Sequence, residues 1–101
     1  MQLPDDLRPL VDEGVAEKLS CFLSYAREIL DEKTYESLVR NLVSIMSQRP
    51  ERTPALSFYM SPWTSKDMSK IRKMVRRAVD LSIADESLKN KVKEAIYKYI
   101  T

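Results

Sequence analysis

Histidine is absent from the 101-residue chain, and cysteine, glycine and tryptophan each occur once. Without histidine, the commonest general base and metal ligand is gone. The single cysteine, Cys21, excludes an internal disulfide framework and a cysteine-based zinc site. The single glycine, Gly14, excludes a glycine-rich phosphate loop and leaves little material for hairpin turns. Apolar runs fall far short of the ~20 residues that a membrane span needs. No charged-then-apolar leader pattern opens the chain. The expectation is therefore an intracellular, cytoplasmic protein with no membrane partner.

What is present fits a folded domain. The composition is 44% apolar and 32% charged, typical of a globular protein and unlike a disordered tail. A chain of 101 residues holds one hydrophobic core, so residues 1–101 are expected to form a single domain. Apolar residues recur at three- and four-residue spacing rather than alternating, which predicts helices. The lead-in from Pro4 to Leu10 reads as a loose segment with one helical turn, Pro9 sitting where no amide donor is required.

The first helix is predicted from Val15 to Leu30, with an apolar stripe of Val15, Leu19, Phe22, Leu23, Ala26 and Leu30. Cys21 lies beside that stripe, where it reads as a small buried hydrophobe. A second helix starts after Asp31 as its cap and runs to Gln48, with Leu30 and Tyr35 in hydrophobic-staple positions. Residues 49–63 form the longest connection, rich in proline and aromatics, with a short turn expected over Ala55–Met60. Thr64 and Asp67 are spaced as a capping box for a third helix, with Trp63 and Met68 as its staple. Its apolar face is Met68, Ile71, Val75, Ala78, Val79 and Ser82. A fourth helix, Glu86 to Ile100, is capped by Asp85 or Ser82, with a stripe of Leu88, Val92, Ala95, Ile96 and Tyr99. The fold class is thus all-α: a single-domain bundle of about four amphipathic helices.

Charge is unevenly divided. Residues 1–48 carry five Lys/Arg against nine Asp/Glu, whereas residues 49–101 carry twelve against six. Six basic residues fall within 66–77: Lys66, Lys70, Arg72, Lys73, Arg76 and Arg77. At 100° per residue, Lys66, Lys70, Lys73 and Arg77 cluster opposite the apolar stripe, flanked by Arg72 and Arg76. Such a row either meets phosphates or solvates the helix, with Arg76 and Arg77 pairing to Asp80. Just upstream, Tyr59 and Trp63 (with Phe58) either offer a stacking surface for an unpaired base or pack into the core.

Carboxylates at i, i+4, Glu13 with Glu17 and Glu28 with Glu32, can hold a divalent ion or form an acid–base pair, but read better as solvated acids. No catalytic constellation, metal site or cofactor site emerges. The first expectation is a non-catalytic module that binds nucleic acid, single-stranded or duplex, or nucleotide phosphates. It would serve as an accessory part of a replication, repair, transcription or defence complex. The alternative is a protein–protein adaptor whose basic face meets an acidic partner.

Overall fold

A computed structural model describes residues 3–48 and 62–101. Among these residues four α-helices carry the fold: α1 Glu13–Ile29, α2 Glu32–Ser47, α3 Met68–Ser82 and α4 Glu86–Tyr99. The chain is an all-α bundle, as the three- and four-residue spacing predicts. Short 3-10 turns cover Arg8–Leu10 and Ser65–Asp67.

Each helix buries most of its apolar stripe, with Val39 and Ile45 of α2 and Leu88 and Tyr99 of α4 only partly covered. Val15, Leu19, Phe22, Leu23 and Ala26 line the inner face of α1, and Tyr35, Leu38, Leu42 and Met46 that of α2. Met68, Ile71, Val75, Ala78 and Val79 follow from α3, and Val92, Ala95 and Ile96 from α4. Helix α2 packs most extensively on α3, while α4 contacts both α1 and α3. Asn41 Nδ2 of α2 donates to Ser82 Oγ at the end of α3, at 2.8 Å. Ser82 therefore borders the core through a polar contact rather than joining the apolar stripe.

The helix ends show local chemistry at work. Asp12 accepts the Val15 amide at 2.8 Å, so α1 starts two residues before Val15, at Glu13. Asp85, not Ser82, caps α4 by accepting the amides of Ser87 and Leu88 at 2.8 and 3.1 Å. Asp31 holds the cap position of α2, but its side chain accepts no amide. The break at Leu30–Asp31 also puts Glu28 and Glu32 on different helices, so they do not share a helix face.

Cys21 and the lead-in both sit differently from the sequence expectation. Cys21 is exposed on the outer side of α1, displaced from the stripe by one position in the helical turn. The lead-in is not loose: Leu3, Leu7 and Val11 are buried with the core. The Pro4 carbonyl accepts the amides of Leu7 and Arg8 at 3.0 and 3.1 Å, turning the segment onto the core ahead of the 3-10 turn at Arg8–Leu10. The lead-in then joins α3 through an isolated parallel bridge between Val11 and Trp63. Trp63 N–H donates to Leu10 O at 2.8 Å, and Asp12 N–H donates to Trp63 O at 3.0 Å.

Candidate functional site

The basic row of α3 begins with its cap. Thr64 N–H donates to Asp67 Oδ2 at 3.0 Å, and Thr64 Oγ1 accepts the Lys66 amide at 3.3 Å, closing the expected capping box. The first turn is 3-10, tighter than the α-helix expected there. Trp63 and Met68 are both buried beside this cap, in the staple positions.

Trp63 is 6% exposed, and its Nε1–H donates to Met46 O at the end of α2, at 2.9 Å. Its ring belongs to the core and leaves no face open for a base, which removes it from the stacking surface. The reason is long-range: the indole satisfies an α2 carbonyl while filling the gap between α2, α3 and the lead-in. Tyr59, with Phe58 and the expected Ala55–Met60 turn, lies outside the described residues.

The six cations divide into two sets. Arg72 Nη1 donates to Ile100 O at 3.1 Å, and Arg76 Nη1 donates to the Tyr97 hydroxyl at 3.4 Å. Lys93 pairs with Asp80 at 2.6 Å. As the α3 residue advances from 72 to 80, its α4 partner falls from 100 to 93, so the two helices run antiparallel along this seam. Asp80 is engaged by Lys93 of α4, not by Arg76 or Arg77 as the pairing within α3 would have it. The hydrogen bond from Lys93 holds the Asp80 carboxyl below its ordinary value, helped by the charges of Lys93, Lys89 and Arg76.

Lys66, Lys70, Lys73 and Arg77 form the second set. All four are exposed, and none has an acidic partner within ion-pair distance among the described residues. From Lys66 to Arg77 the row extends about 16 Å at 1.5 Å per residue. One-turn spacing holds the charges apart while leaving every ammonium or guanidinium donor free to point outward. Chemically, this is a line of cationic hydrogen-bond donors suited to anionic groups.

Two residues beside this row stand out in three dimensions. Leu81 and Tyr97 are the large hydrophobic side chains left exposed among the described residues, at 61% and 54%. Tyr97 falls off the α4 stripe in the sequence, the only signal that could have marked it. The other described tyrosines are packed: Tyr25 and Tyr99 lie with ring centroids 6.0 Å apart, and Tyr35 is buried under the Arg27 guanidinium. Burial pushes the Tyr35 phenol up, opposed in part by Arg27.

Among the described residues, no cluster of three or more His, Cys, Asp or Glu side chains is placed to hold a metal ion. No helix there is long and apolar enough to cross a membrane. Protein-family models, curated proteins and solved structures provide no match to this chain, so its functional reading rests on the residues described above.

Proposed function

We propose that the outer face of α3 binds the phosphate backbone of a nucleic acid, with the chain acting as a small non-catalytic module. The observation that carries this reading is the unneutralised row of Lys66, Lys70, Lys73 and Arg77. Cations at one-turn intervals can engage neighbouring phosphates, each displacing condensed counterions. Arg72 and Arg76 each give one donor to a neutral acceptor on the α4 side and keep their charge, so they flank the row while holding the face in place.

The salt dependence provides the test. Four phosphate contacts give a slope of log affinity against log salt on the order of −3 to −4, steeper for duplex than for single strands. Replacing Lys70 and Lys73 together with Glu should flatten that slope and weaken binding of both forms. Stability should change by less than about 0.5 kcal/mol, because both side chains are exposed. Mobility-shift titrations at several salt concentrations, with thermal melts of both proteins, read the two quantities separately. Absence of binding at ~50 mM salt, where the counterion term is strong, would remove the reading.

A second reading has one observation in its favour. Leu81, 61% exposed, stands one turn beyond Arg77 on the same side of α3. An apolar anchor at the end of a cationic row suits an acidic amphipathic segment of a protein partner better than it suits a phosphate backbone. Under this adaptor reading Leu81→Ser should abolish partner binding, whereas under the nucleic-acid reading it should leave oligonucleotide affinity unchanged.

A further inference from the structure

We infer that Tyr97 is the base-stacking platform of the α3 face, making a single strand rather than a duplex its preferred ligand. This inference rests on the phosphate-binding reading given above. A tyrosine ring left half in water contributes little to the core, whereas the other described tyrosines are packed or buried. Tyr97 is also not isolated on the surface. Its hydroxyl accepts a hydrogen bond from Arg76, which lies one turn from Lys73 and next to Arg77 on α3. The seam thus sets an exposed tyrosine against Arg76, the arginine that flanks the free cationic row on α3.

That juxtaposition has chemical consequences. Bases stack on an aromatic face regardless of sequence, because every base has a π-face to offer. A single strand can turn a base out while its phosphates follow the lysines. A duplex keeps its bases stacked on one another, so it can use the cations but not the ring. Arg76 strengthens the arrangement in two ways. Its hydrogen bond restrains the orientation of the ring, and its planar guanidinium extends the surface on which a neighbouring base can lie. Trp63, which directly precedes the α3 cap, is enclosed in the core and cannot take this part.

The experiment compares the full chain with Tyr97→Leu and Tyr97→Phe. A fluorescently labelled thymidine oligomer and a duplex of the same length serve as probes, with thermal melts as the folding check. Tyr97→Leu should weaken single-strand binding on the order of 5- to 150-fold, the equivalent of about 1–3 kcal/mol for one stacked base. Tyr97→Phe should retain most of it, and duplex affinity should be unchanged in both variants. Equal losses for strand and duplex would overturn the stacking role, since they would report a damaged cationic face. Unchanged single-strand affinity in Tyr97→Leu, alongside a loss in Lys70→Glu/Lys73→Glu, would overturn it while leaving the phosphate-binding reading standing. Failure of the unaltered protein to bind either probe would overturn both.

Discussion

At position 63 one side chain does two separable things: its ring fills space between α2 and α3, and its edge satisfies a carbonyl. The second is the bond from Trp63 Nε1 to Met46 O, at 2.9 Å in a buried setting. Trp63→Phe keeps most of the apolar volume but leaves that carbonyl without the indole donor, a loss of about 1–3 kcal/mol. Trp63→Ala removes the ring as well and should lower stability by roughly 3–5 kcal/mol. Urea denaturation of the three proteins would order them native, Phe, Ala; a Phe variant as stable as the native chain would show the hydrogen bond to be dispensable. The sequence left Trp63 divided between core and contact because its partner, Met46, lies beyond the 49–63 connection. Position in a helical turn is similarly delicate for Cys21, where one step of 100° separates the stripe from solvent.

Helix ends are set by neighbours a few residues away, and they were legible only in part: Asp12 went unread, and Asp85 shared the α4 cap with Ser82. Thr64 with Asp67, and Asp85 ahead of Ser87 and Leu88, place oxygen acceptors where the first turn has unpaired amides. Asp31 has the right residue type in the right place, yet its carboxylate accepts no amide. The two caps should therefore respond differently to the same change. Asp85→Ala should cost about 0.5–2 kcal/mol, while Asp31→Ala should fall well below that range. Chemical denaturation of both variants checks the contrast, and equal losses would contradict it. Stripe membership was legible for the same local reason: a helix repeats its inner face every three or four residues. The cationic row was legible as a row, but its division was not. Which arginines turn toward Ile100 and Tyr97 depends on how α4 lies against α3, a relation no local spacing encodes.

Across the whole molecule, one four-residue interval runs unbroken through Leu3, Leu7, Val11, Val15 and Leu19, and every member is buried. Only the last two lie in a helix, so the interval continues through proline-containing backbone that periodicity arguments discount. Leu7 is fully enclosed, and Leu7→Ala should destabilise the chain by about 2–5 kcal/mol despite its place near the start. A melting curve unmoved by that substitution would mean that the lead-in is ornamental to the core. The overall class followed from the sequence because four amphipathic stripes have few ways to hide together. The attachment of the lead-in did not, since it depends on the bridge between Val11 and Trp63. That bridge has a mechanical meaning. Trp63 directly precedes the Thr64 cap, and its amide and carbonyl are clasped by Leu10 and Asp12. Through this clasp the start of α3, and with it the cationic row, is moored to the root of α1 in the acidic half of the chain.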